Sequence, residues 1–497
     1  MKNNTLFTRI KTTTLVLVCC LQFCLAPAVT VYASPDWPAF GDELDSLSGI
    51  VIDADSGTVL YEKEADTLYP PASTTKILTA LIVLENCQDL DDIVTFSKTA
   101  IDNVEWDSGN KLGVVEGDRL TVRDCLYSLL LCSSNQSANA LAEYIAGDMD
   151  SFVQMMNDKV RELGLTDTKF QNPSGLNGDE QRVTARELAL IAKAAYDNPA
   201  LLDISKTLKY TIPPLTDRPD GQTIENEHRL VTNAGADTHY PPAIAGKPGY
   251  LRAAGNTAIT YAELDGRRLI TVVLKGTKAQ YFIDCKKMFE FGFADFENHK
   301  ISVQDAKTFS AEELEYFKDQ NLGSSDLSVS DSVTITLPKD TSPGSTKRHL
   351  TPLPAGRHPD NAVALLEYTY QEKVVGKTYV INLNYQPETE PQPDSTGQTD
   401  SPAGDNGKTA AADNTDRTPV KKVNGLLIFF IILMVLVAAG AGGSFYLFRQ
   451  KEQQRMDERQ KKRRMRLEEM GISQEEFEEM KKIRKQKKQN DDKEDGS

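Results

Sequence analysis

Tyr69-Pro70-Pro71-Ala72-Ser73-Thr74-Thr75-Lys76 runs without a break into Ile77, Leu78, Leu81, Ile82 and Leu84. Prolines just ahead of a strongly apolar run predict a helix start, with Ser73 at its N-terminus. Three residues make about one helical turn, so the Lys76 amine falls beside the Ser73 hydroxyl. A serine attacks only after a base takes its proton, and an ordinary lysine, with a pKa of about 10.4, is itself protonated at neutral pH. Burial and a second cation would lower that value. Ser-x-x-Lys alone is a common spacing, equally served by a capped helix with a surface lysine, so it gains weight only from partner motifs elsewhere in the chain.

Leu131-Cys132-Ser133-Ser134-Asn135 separates two runs with helical apolar spacing, Val122 to Leu131 and Ala138 to Ala146, the second closing on Gly147. Ala245-Gly246-Lys247-Pro248-Gly249-Tyr250 precedes a hairpin pattern, Thr257 to Ala262 and Leu269 to Leu274 around Asp265-Gly266. Another hairpin is predicted at Gly49 to Ile52 and Thr58 to Tyr61, around Asp55-Ser56-Gly57. Thr184 with Glu187 predicts a capping box for a helix to Tyr196. Strands and helices sharing one core give a mixed α/β domain with an antiparallel sheet. From about Ile301 to Pro387 the period changes to two, in Val333 to Leu337, Ala362 to Tyr370 and Tyr379 to Tyr385, which predicts a small all-β domain.

Ser-x-x-Lys, Ser-x-Asn and Lys-x-Gly occur here in the order found in penicillin-binding proteins and related β-lactamases. Together with Ser56-Gly57-Thr58-Val59-Leu60-Tyr61, Asn172-Pro173-Ser174-Gly175-Leu176 and Thr184-Ala185-Arg186-Glu187-Leu188, they make the chain resemble the low-molecular-mass D-alanyl-D-alanine carboxypeptidases over about Ser46 to Phe296. The resemblance implies a β-lactamase/transpeptidase-like catalytic domain with an antiparallel sheet and a helical subdomain. It makes Ser73 the acylated nucleophile, Lys76 the base, and Ser133 the proton relay. Asn135 would hold the substrate carbonyl, Lys247 would supply positive charge, and the backbone N–H of Tyr250 would join that of Ser73 in an oxyanion hole. The implied substrate is a peptidoglycan stem peptide ending in D-Ala-D-Ala, with β-lactam antibiotics as inhibitors and no cofactor.

The chain departs from the family at Pro248, where the third motif has threonine or serine. Proline brings neither hydroxyl nor N–H to the substrate's terminal carboxylate, so His228, Arg229 and Arg252 are candidate replacements. The alternative reading is a catalytically impaired homologue that binds peptidoglycan or an envelope partner. A β-lactamase is disfavoured, since no segment resembles the loop that carries a deacylating glutamate.

The ends of the chain set its expected location. Lys2, Arg9 and Lys11, the apolar run Leu15 to Leu25 and Val31-Tyr32-Ala33 read as a signal peptide over residues 1–33. The catalytic domain is expected over 34–298, the β-rich domain over 299–387 and a flexible stalk over 388–424. Residues 425–448 form an uncharged apolar run long enough to cross a membrane. Arg449, Lys451, Arg455 and Arg459 come directly after it, which puts the tail 449–497 in the cytoplasm and the rest outside. The tail carries a capping pattern, Ser473 to Glu476, and a stripe of Phe477, Met480 and Ile483 that could meet a cytoplasmic partner. A net charge of −16 argues against nucleic-acid binding. Beyond the leader, Cys87, Cys125, Cys132 and Cys285 leave one or two disulfides open, although Cys125 and Cys132 look like buried small hydrophobes. His228, His239, His299, His349 and His358 show no metal-ligand spacing and read as scattered surface histidines.

Overall fold

A computed structural model describes residues 35–386 apart from 105–107, 177, 179, 233–237 and 279. The expected leader, stalk, membrane span and tail lie outside the described residues, among which no helix is long and apolar enough to cross a membrane.

The chain opens with the hairpin β1 (Ser48–Asp53) and β2 (Val59–Lys63). Asp53 Oδ1 fixes its turn by accepting from Asp55 N and Ser56 N. Helix α1 (Lys76–Asn86) buries every residue from Lys76 to Val83, so it is the central post of the helical part. Two short strands, β3 (Ile93–Thr95) and β4 (Arg119–Thr121), lead to α2 (Val122–Leu131), α3 (Asn135–Ala146) and α4 (Met149–Glu162). Gly147 ends α3 in the left-handed conformation, as its position predicts. Next come α5 (Ala185–Tyr196), α6 (Pro199–Ser205) and the pair β5 (Lys209–Ile212) and β6 (Gln222–Glu225). Thr184 caps α5 by accepting from Glu187 N, but the expected reciprocal half of the box is not made. Glu187 instead uses its carboxylate on Thr166 N and Asp167 N, tying the preceding loop to the helix.

Strands β7 (Ala243–Leu251), β8 (Gly255–Leu264) and β9 (Arg267–Gly276) complete an antiparallel sheet of order β2-β1-β9-β8-β7. The third motif lies within β7, at the sheet's edge, where a missing ladder N–H is tolerated. Side chains alternate across the sheet and both faces are buried. Ile50, Ile52, Ile259, Ile270 and Val272 meet the helical core, and Val51, Ala258, Leu269 and Val273 meet α7 (Tyr281–Asp295).

The last part is not purely β. Two helical turns, Val303–Ala306 and Ala311–Glu315, come after β10 (Phe296–Ile301), capped by Ser302 and Ser310. Strand β11 (Leu327–Val329) is next, and β12 (Val333–Pro338) pairs with β10. Strands β13 (Lys347–Thr351), β14 (Ala362–Tyr370) and β15 (Lys373–Asn382) form with β11 a sheet of order β11-β15-β14-β13. The last strand begins and ends earlier than Tyr379 to Tyr385, because Gln371 and Glu372 both take positive φ and make a tight hairpin turn. Trp37 packs on Phe296 and donates from Nε1 to Leu60 O, and Ser56 Oγ meets Thr336 Oγ1 at 2.7 Å, so this part is joined to the first hairpin. All four described cysteines are free thiols.

Candidate active site

Ser73 sits in a single 3₁₀ turn, Ala72–Thr75, that feeds α1. The turn is held from several sides. Thr74 Oγ1 and Thr257 Oγ1 donate to Pro71 O, Thr75 Oγ1 donates to Ala72 O, and Ala72 itself takes a φ of 52°. Strain of this kind persists only where the surroundings dictate it. Lys76 is fully buried, and its Nζ lies 3.1 Å from Ser73 Oγ while donating to Asn135 Oδ1 at 2.8 Å and Ser174 O at 2.5 Å. A neutral amine has two N–H bonds and one lone pair. With both N–H groups engaged, the lone pair is left for the Ser73 hydroxyl. Burial above all, and then the charge of Lys247, holds the Lys76 pKa well below the usual lysine range.

Ser133 occupies the joint between α2 and α3 with a φ of 64°, a conformation uncommon for any residue but glycine. Ser134 caps α3 and places Asn135 in its first turn, where the side chain turns inward to Lys76. Lys247 is also fully buried. Its Nζ donates to Pro248 O at 3.2 Å, and burial pulls its pKa down to about 8. The structure thus gathers Ser73, Lys76, Ser133, Asn135 and Lys247 from three separated stretches.

Residues 33–278 match the family model of the D-alanyl-D-alanine carboxypeptidases. The D-alanyl-D-alanine carboxypeptidase DacB2 of Mycobacterium tuberculosis is 36% identical over 266 residues, covering 52% of this chain and 84% of that protein. The chain belongs to the D-alanyl-D-alanine carboxypeptidase family. DacC of Escherichia coli is 31% identical over 310 residues, covering 60% of this chain and 72% of that protein. The crystal structure of the Streptomyces K15 DD-transpeptidase aligns with a TM-score of 0.47 at 30% identity, covering 51% of this chain and 98% of that one.

In this member of the carboxypeptidase family a cleft of about 560 Å³ opens over Ser73, with Ser133, Asn135, Pro248 and Tyr250 in its walls. The Tyr250 side chain is two-thirds exposed at the rim. Its neighbour Gly249 lies so close to Ser73 that a β-carbon there would sit 2.8 Å from Ser73 N. His228 is not a surface histidine. It is fully buried against Phe282, with Nε2 beside Thr260 Oγ1 and Ile259 O, and burial lowers its pKa to about 3, so it is neutral and withdrawn from the cleft. Arg229 and Arg252 do line the cleft.

Three participants carried no sequence signal for their part. Ser174 acts through a backbone carbonyl, positioned because Asn172 Oδ1 accepts from Gly175 N and Thr79 Oγ1 donates to Pro173 O. Lys111 and Glu227 form a 2.5 Å ion pair on the cleft wall. Among the described residues no cluster of His, Cys, Asp or Glu is arranged to hold a metal.

Proposed function

We propose that this chain is an exported serine carboxypeptidase that removes the terminal D-alanine from peptidoglycan stem peptides through a Ser73 acyl-enzyme, and that penicillins acylate the same serine. The observation that carries the reading is the buried Lys76 amine, 3.1 Å from Ser73 Oγ with its remaining contacts filled by Asn135 and Ser174.

Lys76 takes the Ser73 proton as Oγ attacks the carbonyl of the penultimate D-alanine. The N–H groups of Ser73 and Tyr250 receive the charge that develops on the carbonyl oxygen. Ser133 relays the proton held on Lys76 to the departing nitrogen, the C–N bond breaks, and D-alanine leaves with Lys76 neutral again. Lys76 then takes a proton from the water that attacks the ester, and gives that proton back to Ser73 Oγ as the ester bond breaks. Lys247 keeps the cleft positive and helps hold Lys76 neutral. The pair of measurements that tests the reading is fluorescent-penicillin labelling and D-alanine release from a pentapeptide. Labelling without release supports the impaired homologue instead, and rapid penicillin turnover supports a β-lactamase.

The location belongs to the same proposal. The leader exports the catalytic part, residues 425–448 anchor it with one span, and the tail stays in the cytoplasm.

A further inference from the structure

Lys111 lies in the segment before β4, and Glu227 in the strap after β6. Both segments are held against the wall that carries Ser133. Glu227 N donates to Leu131 O, Gln136 Nε2 donates to Gly109 O, and Gln222 Nε2 donates to Lys111 O. The two charged side chains are each 42% exposed, so their pair contributes only about 0–1 kcal/mol to the fold. Arg229, two residues beyond Glu227, lines the same cleft and makes no ion pair among the described residues. It shares the cleft lining with Lys111, Glu227 and the Tyr281 ring.

We propose that Lys111, Glu227 and Arg229 form a subsite that selects a peptide side chain ending in an α-amino acid, with its ammonium on Glu227 and its carboxylate on Arg229 and Lys111. A lone carboxylate there would meet the repulsion of Glu227, and a lone ammonium that of the two cations. A group bearing both charges satisfies the whole set, in charge-assisted hydrogen bonds of the stronger kind. This inference rests on the carboxypeptidase reading and names the substrate it prefers.

The test uses the full-length protein and four pentapeptides ending in D-Ala-D-Ala, alike except at the third residue. That residue is meso-diaminopimelic acid, lysine, α-aminoadipic acid or norleucine, so its side chain offers both charges, an ammonium, a carboxylate or neither. The diaminopimelic peptide should show kcat/KM at least about tenfold above the norleucine peptide, the discrimination of roughly one good charged contact. Glu227→Gln and Arg229→Gln should each cut that preference to below about threefold, about half the free energy of a tenfold preference. Glu225→Gln, which breaks only the exposed Lys209 pair away from the cleft, should leave it intact. D-Alanine release from all four at similar kcat/KM would overturn the subsite and leave the carboxypeptidase standing, as would a preference that survives both cleft substitutions. Release from none would overturn the carboxypeptidase reading and the subsite with it.

Discussion

The role proposed for Lys247 comes at the expense of the fold. Burial lowers its pKa from 10.5 to about 8, so below about pH 8 the folded state carries a buried cation that the unfolded chain keeps in water. The unfolded chain holds its proton up to about pH 10.5, so stability should rise with pH between those two values. Lys247→Met should therefore stabilise the protein at pH 7 by roughly 3 kcal/mol, and by almost nothing above pH 10.5. Thermal melts at both pH values check this, and an equal gain at both would refute it. In the wild type, kcat/KM should fall above about pH 8 as Lys247 loses its charge. Beside it, Pro248→Thr restores a hydroxyl. One charge-assisted hydrogen bond is worth about 1.5 to 3 kcal/mol, so kcat/KM for D-Ala-D-Ala peptides should rise about ten- to a hundred-fold. An unchanged value would show that another cleft residue, Arg252 being the candidate, already holds the carboxylate.

At the scale of elements, the Ser73 turn depends on a backbone that passes very close to it. Gly175 has a φ of 81°, and a β-carbon there would lie 1.9 Å from Ala72 O. Gly175→Ala should push the turn away from Lys76, and a shift of about 1 Å can cost about 10² in rate. Penicillin acylation kinetics measure that loss, and a near-normal rate would deny the turn its proposed sensitivity. The same contact shows where sequence reading stops. Ser73 and Lys76 were legible because one helical turn joins them, and both predicted catalytic-domain hairpins because Asp-Ser-Gly and Asp-Gly mark turns. Ser174 O was not legible, since it reaches Lys76 across 98 residues through a backbone atom that any residue type supplies. The Gln371-Glu372 turn carries no sequence mark, because neither residue is a usual left-handed one. The helical turns after β10 do carry capping signals, Ser302 with Asp305 and Ser310 with Glu313, but each turn is too short to show helical periodicity beside the period-two runs that follow. His228 looked like a surface residue because an isolated histidine has no periodic neighbours to betray its burial.

For the whole molecule, the proposed topology predicts that protease added to intact protoplasts removes the catalytic part and spares an epitope tag placed after Ser497. Loss of the tag would refute the cytoplasmic tail. In the proposed mechanism the chemistry converges on one atom, Ser73 Oγ, which Lys76 of α1 meets directly and whose cleft the α2–α3 joint and the edge strand β7 help to line. Replacing Lys76 by alanine removes the proposed base, and a general base typically contributes about 10² to 10⁴ in rate. The most direct measurement is peptide mass spectrometry of full-length protein after brief exposure to benzylpenicillin. A covalent adduct should appear on the peptide containing Ser73, form at least about a hundred times more slowly in Lys76→Ala, and be missing in Ser73→Ala. An adduct on any other residue, or one that persists in Ser73→Ala, would contradict the assignment of Ser73 as the nucleophile.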